Sequence, residues 1–308
     1  MGAGIAGLYT AWKLAERGQD VTVFERRGVI GKEACSGLFS ERVLEYIPES
    51  KKLVQNKIDF CLLHFPKKTL KINFSKKFFV MSHYELDNLV AGLAEKSRAK
   101  IIKNSNVTGS FLVTLAKEYD RVIGTDGANS SVRKSLGAPE PYFRLGIQGF
   151  TNEKNTDNYV DAWPTKEGFL WKIPRGNEIE WGILERPTVA RRLFDEFLAE
   201  QNIHLESLKS TLVPQGLVLP KNEKITLCGD AAGMTKPWSG GGVAWNLTGA
   251  CLLLKNFPNF VKYRNEARRF FLPKIFFSKT ATRTIYFLGG KTPWLLPTNY
   301  KIESDFLL

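Results

Sequence analysis

A glycine-rich turn at the amino end constrains the fold of this chain more than any other feature. Residues 2–7 read GAGIAG and carry the spacing G-x-G-x-x-G. The next residues place apolar side chains at helical spacing, and "DVTVFERR" then reads as a short strand that leads to Glu25. A glycine turn, a helix, a strand and an acid about 20 residues further on form the order that binds a dinucleotide. The glycines admit a pyrophosphate to the helix N-terminus, and the acid accepts hydrogen bonds from a ribose.

The strand that normally precedes such a turn is missing from the sequence, because only Met1 stands before it. That strand would be the central parallel strand of the sheet. Without it, buried backbone groups on both neighbouring strands would lose their partners, at about 1–3 kcal/mol for each group. Since a domain is stable by only about 5–15 kcal/mol, we expect the native chain to begin ~5–6 residues or more upstream. Met1 would then occupy the last position of the strand.

Composition restricts the classes of partner. The chain has 308 residues, enough for one large or two intertwined domains, and its 44 Lys and Arg against 31 Asp and Glu give a net charge of +13. This charge favours anionic partners such as lipid headgroups or an acidic protein. No zinc-finger spacing or aromatic-interleaved basic run is present, so we expect no nucleic acid partner.

The cysteines and the apolar runs indicate a cytoplasmic protein. Four scattered cysteines are too few for a disulfide framework, and no C-x-x-C or histidine cluster predicts a metal site. The longest apolar stretch, around residues 243–254, is shorter than the ~20 residues that a membrane span needs. We expect no signal peptide and no membrane span. The aromatic and basic segment "ARRFFLPKIFFSK" predicts either a helix at the inner face of the cell membrane or a helix packed on the protein.

Two further motifs agree with the glycine turn. They are "GTDGANSSVR" at residues 124–133 and "LCGDAAG" at residues 227–233. Together with GAGIAG and Glu25 they resemble the glutathione-reductase-like FAD fold, in the branch with p-hydroxybenzoate-hydroxylase-like topology. "ACSG" (34–37), "FLWKIPRGNEIEWGI" (169–183) and "PWSGGGVAWN" (237–246) resemble segments of the geranylgeranyl reductase family within that branch, including digeranylgeranylglycerophospholipid reductases. The similarity extends over essentially the whole chain.

The resemblance implies an α/β fold in three parts. Residues 1–60, 84–137 and 222–256 would build a discontinuous Rossmann-like FAD-binding domain whose first strand is absent. Residues 61–83 and 138–221 would form an inserted β-rich substrate-binding domain, and residues 257–308 a C-terminal helical segment. The local pattern supports this division, because residues 142–220 are rich in strand signals and the tail is helical, aromatic and basic.

The resemblance also implies the site residues. FAD would be held at Gly2, Gly4, Ala6, Gly7, Glu25, Arg26, Ser36, Gly37, Val107, Asp126, Gly229, Asp230, Gly241, Gly242 and Val243. Asp230 would bond the ribityl chain, and the helix that starts after Gly242 would direct its dipole at the flavin. The prenyl substrate would contact Phe169, Trp171, Pro174, Gly182 and Trp238. Phe169 and Trp171 are equally consistent with a lobe core when judged from the strand pattern alone.

Cys35 is the candidate catalytic residue. A thiol with an ordinary pKa of about 8.5 is protonated at neutral pH and can give a proton to an alkene carbon, although Cys35 is also consistent with a small buried hydrophobe. Two departures from the family pattern stand out. His83 occupies the position of an FAD-contacting arginine, and the stretch from Lys103 to Asp120 is shorter than usual.

The expected activity is an FAD-dependent reduction of isolated C=C bonds in geranylgeranyl chains, in archaeal membrane-lipid precursors. The partners would be a prenyl lipid, a membrane surface, and an acidic electron carrier such as a ferredoxin or NAD(P)H. Two alternatives stay open at this point. One is a flavin-dependent monooxygenase acting on an apolar substrate, and the other is a lipid-binding protein that has lost its flavin.

Overall fold

Helices and strands alternate along the chain in the order of an α/β protein. The structure is a computed structural model that describes residues 1–31, 34–303, 305 and 306. The helices are α1 (Ile5–Glu16), α2 (Val43–Tyr46), α3 (His83–Lys96), α4 (Gly109–Glu118), α5 (Ser131–Ser135), α6 (Ala190–Glu200), α7 (Val243–Asn256) and α8 (Phe260–Lys291). The strands are β1 (Thr22–Phe24), β2 (Leu38–Ser40), β3 (Asn56–Phe65), β4 (Lys68–Val80), β5 (Lys100–Ile102), β6 (Val122–Gly124), β7 (Tyr142–Thr151), β8 (Tyr159–Pro164), β9 (Phe169–Pro174), β10 (Ile179–Glu185), β11 (Leu208–Gln215), β12 (Ile225–Leu227) and β13 (Asn299–Ile302).

Short parallel strand pairs and the glycine turn build the Rossmann-like part. β1 pairs with β5 and β6 pairs with β12, all in parallel. The first residues run between the two pairs: Gly2 N–H donates to Phe24 O at 2.8 Å, and Thr125 N–H donates to Met1 O at 2.8 Å. Residues 1 and 2 therefore occupy the position that a central strand would take. The expectation of additional upstream residues stays a prediction.

A nine-stranded sheet forms the second part of the fold. Its strands follow the order β11-β7-β10-β9-β8-β3-β4-β13, and β2 pairs with the end of β4. Two hairpins belong to this sheet, with β3 turning into β4 at residues 66–67 and β9 into β10 at residues 175–178. The predicted domain boundary at residues 60/61 falls inside β3, and β13 of the tail pairs with β4. The division into domains stays a prediction, while the α/β class with a Rossmann-like part and a β-rich part is confirmed.

The core of the Rossmann-like part is built by apolar faces of α1, α3, α7 and α8. Trp245 of α7 is fully buried and stacks on Phe306 near the C-terminus, with ring centroids 5.9 Å apart. α8 extends over 32 residues and contains Pro273. Residues 103–120, where the sequence is shorter than in the family pattern, contain α4. Within the described ranges, none of the helices combines the length and the apolar character required to cross a membrane.

Candidate active site

One continuous cavity of about 1050 Å³ connects the glycine turn to the nine-stranded sheet. Its wall brings together residues from motifs that lie far apart in the sequence. Of the predicted site residues, those that line it are Gly2, Gly4, Ala6, Glu25, Arg26, Cys35, Ser36, Val107, Asp126, Phe169, Trp171, Asp230, Trp238, Gly241, Gly242 and Val243. The structure therefore assembles the predicted turns and the predicted substrate contacts around a single space.

Five predicted residues lie outside the cavity wall, namely Gly7, Gly37, Pro174, Gly182 and Gly229. The four glycines among them are closely packed instead, and a Cβ on Gly37 would lie 2.5 Å from Met81 O. A Cβ on Gly7 would lie 2.1 Å from Gly2 O, and one on Gly229 would lie 2.7 Å from the Ala6 Cβ. A Cβ on Gly182 would lie 2.2 Å from the Trp171 ring, which crosses it on the neighbouring strand. These residues support the wall without forming it.

The glycine turn forms the polar end of the cavity. Gly4 is the N-cap of α1, and a Cβ built on it would have no atom of the described protein within 4 Å. The first-turn N–H groups of a helix have no intrahelical acceptor. Glu25 is held beside them, because its carboxylate accepts from Ala3 N–H at 2.7 Å and from Arg27 N–H at 2.9 Å. An open backbone cradle next to a fixed carboxylate fits the pyrophosphate and ribose of a dinucleotide.

The N-terminus of α7 forms a second polar surface. Asp230 lies beside it and accepts a hydrogen bond from Asn246 Nδ2 at 3.0 Å. A Cβ on Gly242 would lie 3.2 Å from Asp230 Oδ1, so this glycine gives the carboxylate its room. Gly242 precedes α7 as its N-cap, and Val243 lines the cavity. The dipole of this 14-residue helix therefore favours negative charge on a group in the cavity.

Asp126 lines the cavity but uses its carboxylate to begin α5. Its oxygens accept from Ser130 Oγ at 2.6 Å, from Ser131 N–H at 2.6 Å and from Val132 N–H at 3.2 Å. This satisfies N–H groups of the first turn of the helix. The motif around "GTDGANSS" thus begins a helix and also faces the cavity. The sequence signal for this helix start is the capping serine, Ser130.

The loop that carries Cys35 is fixed from the nine-stranded sheet. Gln148 Nε2 donates to Cys35 O at 3.1 Å, and Arg175 donates to Ser36 O at 2.7 Å. Arg175 is itself bound to the buried Glu180, with Arg175 Nε 2.8 Å from its Oε2. Burial raises the pKa of Glu180, and Arg175 acts against that rise. The two side chains from the sheet thereby set the position of the Cys35 backbone at the cavity wall.

Trp171 fits both interpretations from the sequence, a contact for the substrate and a residue of the lobe core. It lines the cavity, is only 9% exposed, and its Nε1 donates to Glu180 Oε1 at 3.0 Å. Its ring lies 5.8 Å from that of Phe169, on the same side of β9. Other apolar side chains continue this wall, namely Cys61, Leu63, Leu70, Ile72, Phe74, Phe78, Val160, Ala162, Ile173 and Leu184. The cavity is therefore polar near α1 and α7 and largely apolar along the sheet, where Gln148, Asp161 and Lys209 are polar members of the wall.

His83 and Asp87 form a pair on the cavity wall that the sequence analysis did not predict, although it noted His83 at the position of an FAD-contacting arginine. Both line the cavity from α3, and His83 Nε2 lies 3.5 Å from Asp87 Oδ1. The imidazole also hydrogen-bonds to Cys35. Burial on its own would lower the pKa of His83, but the Asp87 carboxylate and Cys35 raise it to about 10. The i,i+4 spacing of a histidine and an aspartate on a predicted helix is the sequence signal for this pair.

A buried ion pair joins the cavity to the C-terminal segment. Lys236 lines the cavity and lies 2.7 Å from Asp305, and both side chains are almost completely buried. Asp305 also accepts from Ser40 Oγ at 2.6 Å and pairs with Arg42 at 2.9 Å. Burial raises the pKa of Asp305, but these partners, Lys236 foremost, hold it below its usual value. The predicted substrate residue Trp238 lies near Lys236, whose Nζ is 5.9 Å from its ring centroid.

Comparisons with known proteins agree with this geometry. Residues 1–49 match the family model described as an NAD(P)-binding Rossmann-like domain. The chain is 26% identical over 282 residues to a digeranylgeranylglycerophospholipid reductase of Methanococcus vannielii, which covers 79% of this chain and 72% of the relative. It is also 26% identical over 280 residues to a geranylgeranyl diphosphate reductase of Rhodobacter capsulatus, at 79% and 70% coverage.

Solved structures share the fold. A geranylgeranyl bacteriochlorophyll reductase-like protein of Thermoplasma acidophilum superposes with a TM-score of 0.77 at 17% identity, over 92% of this chain and 86% of the other. A probable FAD-dependent monooxygenase of Pseudomonas aeruginosa superposes with a TM-score of 0.69 at 15% identity, over 94% and 95%. The fold is thus shared by proteins whose names describe different reactions.

Proposed function

We propose that the chain is a reductase of the geranylgeranyl reductase type, and that it uses FAD to hydrogenate isolated C=C bonds of geranylgeranyl chains in membrane-lipid precursors. The continuous cavity carries this proposal, because it joins a dinucleotide cradle to an apolar slot without a break. A long apolar prenyl chain would lie along the sheet while its reacting bond reaches the polar end. We propose a precursor of archaeal membrane lipids because relatives such as the Methanococcus vannielii enzyme are named for the reduction of such a lipid.

FAD is the cofactor, and the residues at the polar end fit it. In the proposed arrangement, the α1 turn and Glu25 hold the pyrophosphate and ribose, and Asp230 and the α7 N-terminus hold the flavin end. The cofactor supplies two electrons as a hydride when it is bound and reduced. The protein contributes binding, orientation and a proton.

The apolar wall and Cys35 define what the protein itself does in this proposal. An isolated alkene offers no carbonyl to polarise, so catalysis depends on holding the bond in a reactive position away from water. Phe169 and Trp171 would provide such a surface along β9. Cys35 lies on the same cavity wall and would hold a proton at its Sγ for the alkene carbon.

Anaerobic turnover tests the proposal directly. The holoenzyme is reduced with dithionite in the absence of oxygen, mixed with a geranylgeranylated glycerophospholipid, and the lipid is analysed by mass spectrometry. We expect the lipid mass to rise in steps of one hydrogen pair. The matched controls are the Trp171→Ala variant, expected to lose turnover, and the Val113→Ala variant on the exposed face of α4, expected to retain it.

Two results would contradict the proposal. A lipid whose mass does not change with fully reduced holoenzyme would exclude prenyl reduction. An oxygen-dependent gain of oxygen mass would instead identify a monooxygenase, the reaction named for one of the structural neighbours. Purified protein without flavin absorbance would support the second alternative, a lipid-binding protein without a cofactor.

We also propose that α8 and the turn after it contact an anionic membrane surface. Phe276 and Phe287 are 76% and 65% exposed and lie eleven residues apart, which places them on the same side of the helix. Trp294, just beyond the helix, is 72% exposed. Lysine and arginine side chains are interspersed along the helix, and its residues Ala281, Thr282, Ile285 and Tyr286 line the cavity. Such a surface would place the cavity beside the lipids that supply the substrate.

Vesicle sedimentation tests the membrane surface. Wild-type protein should sediment with vesicles that contain phosphatidylglycerol and much less with pure phosphatidylcholine vesicles. The Phe276→Ser/Phe287→Ser variant should lose most of this binding, whereas Val113→Ser, at a 58% exposed site on α4, should not. Equal binding of both variants would refute the assignment of the surface.

The electron donor would be a separate partner. The net charge of +13 favours an acidic carrier such as a ferredoxin, and NAD(P)H is the alternative. Flavin reduction by a reduced ferredoxin should slow as salt is added, because electrostatic attraction accelerates association only at low ionic strength. Reduction by NAD(P)H at a salt-independent rate would favour the alternative.

A further inference from the structure

We propose that the His83–Asp87 pair of α3 is a positioning unit that strengthens Cys35 as the acid of the reaction. The unit would place a permanent positive charge beside the sulfur, so that the thiolate left after proton transfer is stabilised. The catalytic part of this proposal rests on the proposed function, whereas the electrostatic coupling of the three side chains can be measured without any substrate or cofactor.

The geometry of the three residues supports the unit. His83 and Asp87 lie one turn apart in α3, whose N-cap Ser82 accepts a hydrogen bond from Glu85 N–H and so fixes the start of the helix. His83 is 9% exposed and Asp87 is 1% exposed. Together with Cys35 they line the same cavity. A buried carboxylate and a buried imidazole at 3.5 Å stabilise each other only while the imidazole carries its proton.

The ionisable neighbours of His83 come from two elements. Asp87 acts on it from α3, and Cys35 acts on it from the loop before β2. Phe39 of β2 presents its ring at 88° to the imidazole, with centroids 5.4 Å apart, and carries no charge. Burial opposes the charge of His83, yet Asp87 and Cys35 raise its pKa to about 10. Before proton transfer the thiol is uncharged, so the Asp87 carboxylate is the charge that keeps the group facing the sulfur an imidazolium.

The proton balance follows from this charge. The S–H bond of Cys35 breaks, a C–H bond forms at the alkene carbon, and the electron pair of S–H stays on sulfur as a thiolate. The second hydrogen arrives with its electron pair as the hydride of the proposed reduction. Water returns a proton to the thiolate afterwards. The imidazolium lowers the energy of the thiolate. It therefore lowers the barrier to proton transfer from Cys35 to the alkene carbon, which is a poor proton acceptor.

The chain also contains a second histidine–aspartate pair that serves as a control. His64 Nε2 lies 2.7 Å from Asp161 Oδ1, and its other nitrogen bonds to Thr69 Oγ1 at 3.0 Å. The His64 ring stacks on Trp163 of β8, and His64 is not part of the cavity wall. A His64→Gln variant therefore removes the same kind of pair without touching Cys35.

Thiol alkylation of the FAD-free protein tests the coupling. The rate of iodoacetamide modification is followed against pH, and the modified cysteine is identified by peptide mass. Burial raises the pKa of Cys61 and Cys228 to about 12 and also raises that of Cys251, so modification near neutral pH should fall on Cys35. We expect half-maximal reactivity below the ordinary thiol pKa of about 8.5. His83→Gln and Asp87→Asn should raise the midpoint by about one unit, a tenfold lower thiolate fraction.

The controls keep the proposal falsifiable. His83→Arg should preserve the low midpoint, since it keeps a positive charge, and His64→Gln should match wild type. If His83→Gln does not fold, Asp87→Asn gives the same reading. An unchanged midpoint in Asp87→Asn and in any folded His83→Gln protein would overturn the proposal, whatever the activity of the holoenzyme.

Turnover then connects the coupling to the reaction. In the holoenzyme, His83→Gln should slow lipid reduction about tenfold and move the alkaline limit of the pH profile upward, with FAD affinity unchanged. A large loss of FAD affinity with an unshifted pH profile would instead show that His83 contacts the cofactor, and would overturn the role as a positioning residue. A shifted alkylation midpoint together with no lipid reduction in wild type would refute the proposed function and leave the coupling intact.

Discussion

The second and third glycines of the GAGIAG motif, Gly4 and Gly7, should respond differently to substitution by alanine. At Gly4 a Cβ would meet no described protein atom within 4 Å, and the backbone angles (φ −87°, ψ 175°) suit alanine. At Gly7 a Cβ would lie 2.1 Å from Gly2 O and 2.5 Å from Thr125 Oγ1, whereas ordinary contacts begin at 3.4 Å. Gly4 is therefore open for a ligand, and Gly7 is closed by the protein itself.

These distances give the expected magnitudes. Gly4→Ala should change the stability of the FAD-free protein by less than about 1 kcal/mol, because it introduces no clash. Its methyl group would nevertheless stand where the backbone admits the pyrophosphate, so FAD affinity should fall at least tenfold, or about 1.4 kcal/mol. Gly7→Ala should destabilise the FAD-free protein by about 1–3 kcal/mol, since backbone must move to relieve the overlap.

Two measurements separate these effects. Thermal melting of the FAD-free variants reports stability, and quenching of flavin fluorescence on titration reports affinity. Gly92→Ala is the matched control, because Gly92 lies inside α3, has no described atom within 4 Å of its built Cβ and is not part of the cavity wall. It should bind FAD as wild type does and gain up to about 1 kcal/mol. A Gly4→Ala protein with wild-type FAD affinity would refute the placement of the pyrophosphate at this turn.

Three other perturbations have defined outcomes. Asp305→Asn should lower the free energy of unfolding by about 3–5 kcal/mol in chemical denaturation, because it removes the carboxylate that pairs with the buried Lys236. The control Glu16→Gln, which removes the exposed pair with Lys13, should lower it by less than about 1 kcal/mol. The pKa of His83 is about 10 in the folded chain against 6.5 unfolded, so its contribution of a few kcal/mol is complete below pH 6.5 and is lost as pH rises through 10; Asp87→Asn should flatten this part of the stability profile. Gly182→Ala should lower lipid turnover and broaden the near-ultraviolet signal of tryptophan, because its methyl group displaces the Trp171 ring; retention of both would contradict the packing.

Local signals explain why the first helix and the glycine turns could be predicted from sequence. The turn formed by GAGIAG is determined by contacts among a few neighbouring residues, and α1 begins at Ile5 within this motif. The strand signals of residues 142–220 are likewise local, and β7 to β11 lie within that range. Predictions of this kind succeed because the chemistry that determines them is contained in a short window.

Long-range contacts explain what the sequence could not show. The Lys236–Asp305 pair joins residues 69 positions apart, and the clamp from Arg175 to the Ser36 carbonyl spans 139 positions. Neither has a local pattern. β3 runs through the predicted boundary at residues 60/61 as a single strand to Phe65, and the division into domains stays a prediction. The family pattern suggested that His83 replaces a cofactor contact, whereas the fold directs it at Cys35 and Asp87.

The position of Cys35 follows from how the two parts of the fold meet. Its backbone is fixed by Gln148 and Arg175 from the nine-stranded sheet, while its thiol bonds to His83 on a helix of the Rossmann-like part. The apolar wall belongs to the nine-stranded sheet, and the dinucleotide cradle belongs to the Rossmann-like part. A proton held at this loop would therefore lie where a substrate along the sheet reaches the polar end. A rigid loop also limits the cost of aligning the thiol during reaction. Loosening the clamp by Arg175→Lys should therefore lower turnover more than FAD affinity, and an equal loss of both would assign the clamp to cofactor binding instead.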